Sequence, residues 1–191
     1  MRSADGGIAP LYVRVLEGSW ARIADPVRLA HQTHSVTRGH GRLRVEHGRH
    51  LAARVLARVL RLPRPSAAAD TCLAVFARGG VEYWCRSIEG CRFDSRQYQS
   101  NASELAERFG VLELRFRLEE NAGDLLFVQH RAAFVLGPLR LPIPAWCAPS
   151  VKARERPSGP AAIGASVRIS LPVIGLLIAY DGTIEIEDTG S

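Results

Sequence analysis

The sequence predicts an α+β domain: a curved antiparallel sheet of about eight strands packed on one or two N-terminal helices, helix-grip or barrel-like in form. Three observations predict it. Before position 63 apolar residues recur at helical spacing. From residue 70 onward the period falls to two and stays there. Glycine pairs and Asn- or Asp-containing steps then cut that second part into short runs, as hairpins require. Both helices precede most of the strands, which is not the alternating order of a doubly wound parallel sheet.

Residues 10–32, PLYVRVLEGSWARIADPVRLAHQ, carry apolar residues at Tyr12, Val13, Leu16, Trp20 and Ile23. That spacing predicts a helix over 11–23, and Pro26 after Asp25 starts a second short turn over 26–31. HSVTRGHGRLRVEHG, 34–48, alternates and reads as a strand. RHLAARVLARVLRLP, 49–63, reads as a helix with Leu51, Val55, Val59 and Leu62 on a stripe facing the sheet and Arg54, Arg58 and Arg61 opposite. Pro63 and Pro65 end it, and PRPSAAAD reads as a loop.

TCLAVFARGGVEYWCRSI, 71–88, is a hairpin about Gly79-Gly80 with Arg78 opposite Val81. Val75/Trp84 and Leu73/Arg86 then share one face. CRFDSRQYQ, 91–99, is a further strand, and NASELAERFG holds at most one helical turn. In VLELRFRLEE, 111–120, Leu112, Leu114, Phe116 and Leu118 point inward and Glu113, Arg115, Arg117 and Glu119 outward. DLLFVQHRAAFVLG, 124–137, is the next strand. SVRISLPVIGLLIAY, 166–180, and GTIEIED, 182–188, complete the sheet about an Asp181-Gly182 turn. Residues 173–180 are apolar almost without alternation, so both faces of that strand are expected to meet apolar surroundings.

Composition bounds the function. A chain of 191 residues with 47% hydrophobic content suits one globular domain, read as 10–188 with tails at 1–9 and 189–191. MRSADGGIAP has no apolar h-region, and LPVIGLLIAY is about half of the roughly 20 residues a spanning helix needs, so a cytoplasmic protein is expected. Residues 38–64 hold eight arginines against Glu46 alone, an excess of seven positive charges in a chain whose total is +6. The basicity is therefore one patch, centred on Arg54, Arg58 and Arg61. Two readings fit it: a solvated amphipathic helix, or an interfacial helix with its apolar side on anionic lipid and its arginines at the headgroups. Nucleic acid is disfavoured, because no aromatic residue interleaves with those arginines as a stacking platform. Cys72, Cys85, Cys91 and Cys147 lack CxxC spacing, so no metal is expected and the thiols are expected to be small buried hydrophobes. GxSxG and GxxxxGK[ST] are missing.

Between strands lies LGPLRLPIPAWCAPS, 136–150, with prolines at 138, 142, 144 and 149. Prolines there interrupt ladder pairing and stiffen the chain. Leu139, Leu141, Ile143 and Trp146 are thus expected to form a lid on the sheet, an entrance rim or a partner surface.

The order LYVRVLEGSW…LAHQ, GHGRLRV, LAARVLARVLRLP, YWCRSIEGCRF, ERFG, LGPLRLPIP and LPVIGLLIAYDG resembles a bacterial family catalogued as domain of unknown function 4166. The resemblance covers residues 11–187. It implies no activity and no catalytic residues; some members are similar domains fused to NAD(P)-binding oxidoreductase-like proteins, which implies an oxidoreductase partner. In the family an aromatic residue follows the Trp-x-Arg pair at the next alternate position, and here Ile88 stands there.

Candidate ligand-binding residues are Trp84, Arg86, Glu107, His130, Glu155 and Tyr180. Trp84 with Arg86 is a polar-aromatic pair on one strand face, a cation–π contact of about 0.5–1 kcal/mol if merely at the surface. His130 shares strand parity with Val128, Ala132 and Phe134 and is expected to point inward. The leading expectation is a non-enzymatic binding module without a cofactor, holding a lipophilic small molecule or membrane-associated substrate in an apolar cavity. The proline loop and LPVIGLLIAY would flank its entrance. The alternatives are a protein-interaction or accessory module of an oxidoreductase, and an enzyme using His130 with Glu107 or Tyr180.

Overall fold

Alternating side chains build a closed wall in this chain, not an open curl. The computed structural model describes residues 8–32 and 36–187; residues 1–7 of the expected N-terminal tail, His34, and Asp188 with the C-terminal tail lie outside the described residues. The twelve strands among the described residues are β1 (Val36–His47), β2 (Ser66–Arg78), β3 (Val81–Ile88), β4 (Cys91–Arg92), β5 (Ser95–Asn101), β6 (Glu104–Phe109), β7 (Leu112–Asn121), β8 (Asp124–Leu136), β9 (Leu139–Pro142), β10 (Ser150–Gly159), β11 (Ala162–Leu171) and β12 (Gly175–Glu187). Ten of them run in the order β10-β11-β12-β1-β2-β3-β5-β6-β7-β8, all antiparallel, and β8 pairs back onto β10. Closure leaves neither sheet edge of the barrel unpaired. β4 and β9 are short strands beside this ring.

The β2–β3 hairpin has the predicted register, from Arg78↔Val81 back to Thr71↔Ile88. Its turn works because Gly79 and Gly80 both take positive φ, 59° and 76°, where a side chain would be strained. Val75 and Trp84 consequently face the core.

Several elements differ from the sequence reading. The expected α+β, barrel-like form holds in outline, but the sheet closes on itself with ten strands where a curve of about eight was expected. Glu104–Phe109 is a strand and not a helical turn, because the Asn101 side chain accepts from Ser103 N–H and turns the chain straight back from β5 into β6. Residues 91–101 form two strands, β4 and β5, and Ser66–Asp70 belongs to β2 and not to a loop. β10 was unforeseen. The turn between the last two strands is Pro172–Ile174, while Asp181 and Gly182 lie inside β12. Within 173–180 Leu177 and Ile178 are buried, but Val173 is fully exposed. The thiols are not buried either: Cys72 and Cys147 are exposed and Cys85 and Cys91 half-buried, Cys72 because it alternates outward between Thr71 and Leu73.

The predicted helix 11–23 divides. α1 (Leu11–Leu16) ends at Glu17, whose φ is 48°, and a 3-10 segment (Glu17–Arg22) leads to α2 (Asp25–His31). This assembly covers the barrel end that carries the β2–β3 and β7–β8 turns: Arg14 donates to Gly80 C=O and Ala24 N–H to Gly123 C=O. Leu11, Tyr12, Val27 and His31 are buried there.

α3 (Leu51–Val59) lies outside the wall, against β12 and β1. Its orientation reverses the predicted one. Ala53 and Ala57 face the sheet, while Leu51, Val55 and Val59 are 72%, 55% and 71% exposed. Close approach is the reason. A Cβ at Gly48, just before the helix, would stand 1.7 Å from Leu176 O and 3.2 Å from Ala53 Cβ, so the chain entering α3 lies tight against β12 and small residues suit the contact. A Schellman pair, Leu62 N–H to Ala57 C=O and Arg61 N–H to Arg58 C=O, closes the helix, with Arg61 at φ 53°. No helix among the described residues is long and apolar enough to cross a membrane.

Candidate functional site

Inward-facing positions of a barrel are ordinarily apolar, and here they are not all so. Along β3 the inner row is Glu82, Trp84, Arg86 and Ile88; along β5 it is Ser95 and Gln97; along β6, Leu105, Glu107 and Phe109. Glu155 on β10 and Tyr180 on β12 face them from the far side. Helices α1 and α2 add Tyr12 and His31.

Two linked groups result. Toward the helix-covered end, His31 Nε2 lies 2.5 Å from Glu155 Oε2, the His31 ring stacks 3.8 Å from that of Tyr12, and Tyr12 donates to Gln97 Oε1 at 2.7 Å. Trp84, 5.4 Å from the imidazole, donates its Nε1–H to Glu82 at 3.2 Å. Toward the other end, the Arg86 guanidinium pairs with Glu107 and donates to Ser95 Oγ, which in turn donates to Glu107 at 2.6 Å. The guanidinium lies over three rings, 5.0 Å from Trp84 and 5.8 Å from both Phe93 and Phe109. Tyr180 meets Phe93 edge-on at 6.3 Å.

Burial dominates the electrostatics. It pushes the Tyr180 phenol up to about 12, with the Arg86 charge opposing, and raises Tyr12 well above its ordinary range with help from Glu82, Glu155 and Glu107. Burial also raises Glu82, against the pull of His31. Arg86 is raised despite its burial, chiefly by Glu107. Within the lumen group two buried nitrogens, Arg86 Nε and His31 Nδ1, have no hydrogen-bond partner among the described residues.

The lumen is less tightly covered at the end away from α1 and α2. Phe93, Phe109, Leu112, Val167, Ile169 and Tyr180 line it there and are only half-buried. The β8–β9 hairpin carries the same face outward: Phe134↔Leu141 and Leu136↔Leu139 continue the inner row beyond Leu112, and all four are exposed.

Of the six residues proposed from sequence, Trp84, Arg86, Glu107, Glu155 and Tyr180 come together in the lumen. His130 does not. The β7–β8 register slips by one residue between Arg115/Phe116, so Arg115 pairs Arg131 while Phe116 pairs Gln129, and His130 sits on the bulge. Its ring turns outward to Glu104, 2.9 Å away, on the opposite side of the wall from Glu107 and Tyr180. That outer surface also holds Glu113, gripped by both Arg140 nitrogens, by Arg115 and by Tyr98, beneath a groove of about 610 Å³ walled by Pro142, Ile143 and Pro149. In the proline loop Leu139, Leu141 and Trp146 are exposed and Ile143 is half-buried against the core. Pro142 is tolerated in β9 because that strand lies off the barrel.

Sequence reasoning missed Tyr12, His31, Glu82, Ser95 and Gln97. The available signal was the alternate row Glu82-Trp84-Arg86, acid and base on the face that Val75 makes the core face. A second groove, of about 1200 Å³, follows α3, lined by Arg49, Arg54, Arg58, Arg61 and Arg64 with Leu62 and Cys91. No group of His, Cys, Asp or Glu among the described residues is arranged to hold a metal.

Residues 24–184 match the family described as Domain of unknown function (DUF4166). The chain belongs to this family. The matched span contains every residue of the lumen group except Tyr12. No curated protein matches the chain.

Proposed function

We propose that this DUF4166 chain is a binding module that takes a lipophilic molecule bearing an acceptor oxygen, such as an ester, amide or quinone carbonyl, into the half of the lumen away from α1 and α2. The observation that carries this reading is the Arg86 guanidinium: half-buried, roofed by three aromatic rings, and left with a shielded Nε unpartnered among the described residues. A buried donor without an acceptor costs about 1–3 kcal/mol, which a ligand carbonyl would offset. The oxygen is a neutral one on electrostatic grounds, since Glu82, Glu107 and Glu155 already outnumber Arg86 and His31. The half-buried apolar lining suits the remaining body of the molecule. The exposed hairpin face of Phe134, Leu136, Leu139 and Leu141 serves as the lip of the entrance, and presentation of the bound molecule to an oxidoreductase is the wider role this reading favours.

The test is extraction of the purified protein with organic solvent, read by mass spectrometry beside native mass spectrometry of the intact complex. A neutral carbonyl-containing lipophile is expected at near-stoichiometric amount. The reading fails if none co-purifies and an environment-sensitive apolar dye does not bind the folded protein.

A further inference from the structure

α3 presents to solvent what an amphipathic helix normally hides. Leu51, Val55 and Val59 form an outward stripe, and Leu60 beside them is exposed as well. Arg54 and Arg58 run along one flank of the stripe, with Arg49, Arg61 and Arg64 at its ends. None of these five guanidiniums has a carboxylate partner among the described residues, and the one nearby acid, Glu46, is held by Arg44 at 2.6 Å.

A second feature lies at the same end of the barrel. Gly48 N–H, leading into α3, donates to Leu177 C=O just after the β11–β12 turn. In that turn Ile174 N–H reaches Pro172 C=O at 2.7 Å, a three-residue γ-turn centred on Val173, whose φ is 65°. A positive φ is strained for a β-branched residue. Yet Val173 is fully exposed and gains no burial in return.

We infer that α3 and the β11–β12 turn form a docking face for an anionic lipid bilayer, with Leu51, Val55, Val59 and Val173 entering the interface and the five arginines at the headgroup phosphates. Charge complementarity selects this occupant: an apolar stripe beside an unpaired row of arginines matches a surface that is greasy beneath and negative on top. A neutral protein surface would leave those five charges desolvated and unpaired. The inference goes beyond the lumen reading and does not depend on it, because α3 lies outside the barrel wall.

Flotation with vesicles tests it, using phosphatidylcholine alone and phosphatidylcholine with about one-third phosphatidylglycerol. Binding is expected to the mixed vesicles only and to weaken with salt. Arg54→Gln with Arg58→Gln should weaken it about twenty-fivefold, from roughly fivefold per arginine near an anionic surface. Val55→Ser with Val59→Ser, which alters only exposed side chains, should weaken it about tenfold or more while the far-ultraviolet spectrum stays unchanged. Equal binding to both vesicle types, or none to either, overturns the inference. So does concentration-dependent dimerisation in sedimentation that the Val55/Val59 variant abolishes, since the stripe would then belong to a second copy of the chain. Lipophile content in the extraction experiment is unaffected by these variants, so the two ideas fail separately.

Discussion

His31 Nε2 and Glu155 Oε2, 124 residues apart in sequence, meet at 2.5 Å inside the barrel. The contact joins the last residue of α2 to the strand that closes the wall. β10 is held to β8 over only four residue pairs, Lys152↔Val128 to Glu155↔Leu125, so this pair fastens the helical cover to one of the two shortest seams of the ring. Glu155→Ala should destabilise the fold by about 2 kcal/mol in urea titration, because it leaves a buried imidazole nitrogen without its acceptor. Glu155→Gln keeps an acceptor and should cost less than half as much. In a double-mutant cycle with His31→Ala the costs should fall short of additive by about 1 kcal/mol or more. Amides of β8 and β10 should show the largest gain in hydrogen exchange.

The same residue explains why the seam was not legible. In Val151-Lys152-Ala153-Arg154-Glu155-Arg156 the inner row is Val, Ala, Glu and the outer row Lys, Arg, Arg. An acid on the inner face erases the oily and watery contrast by which β7 is recognised, and Pro157 and Gly159 add loop signals. A buried carboxylate is intelligible only once its partner is known, and that partner lies on a helix over a hundred residues away. Closure of a barrel is a long-range fact of this kind. By contrast the Gly79-Gly80 register is local, and it was legible to the residue.

Arg86 and Glu107 form a buried pair whose members are expected to matter unequally for stability and for binding. Arg86→Leu alone strands Glu107 in an aromatic setting and should cost about 3 kcal/mol. Adding Glu107→Leu should recover most of that, since an apolar pair of similar volume needs no mutual charge. The double variant is therefore the useful one. It should melt within a few degrees of the parent and yet carry no extractable lipophile. If it retains the ligand in full, the guanidinium is structural and the lumen reading loses its central support.

α3 gives a direct check on which side of a helix faces the barrel. Ala53→Leu or Ala57→Leu should each cost about 1–3 kcal/mol, because both side chains are fully buried where α3 packs on β12 and β1 and leave no room for the added volume. Val55→Ser and Val59→Ser should each change stability by under about 0.5 kcal/mol, as surface substitutions do. Sequence periodicity located this helix but reversed it, since the largest apolar residues are ordinarily the buried ones. The clue to the contrary was Gly48, which marks a close backbone approach and so favours alanine underneath.

Trp84 and Arg86 were legible because strand parity carries a side chain to a known face once one neighbour is known to be core: they follow from Val75 and Leu73, whereas Glu107 and Glu155 lie in β6 and β10, which the sequence pattern did not mark as strands. His130 was misplaced by the same rule, since a single bulged residue inverts parity and leaves no mark in the sequence. Tyr12 and His31 were out of reach for another reason: they enter the lumen from helices, where period-two reasoning does not apply.

Tyr180 supplies a test of the lumen's character that needs no ligand. Its phenol, ordinarily near 10.0, is pushed up to about 12, mainly by burial. A folded value above the unfolded one means that the contribution to stability is complete below pH 10 and is lost as pH climbs through 12. Alkaline difference absorbance of the parent should therefore contain a phenolate component centred at about pH 12, and Tyr180→Phe should remove it. The same variant should unfold at higher pH than the parent, since its buried ring has no proton to lose. Tyr12 and Tyr98 are raised too, so the remaining curve should stay displaced to the alkaline side. A parent protein whose tyrosines all ionise near their ordinary value would mean that water fills the lumen freely, and a site able to desolvate a lipophile would be lost with it.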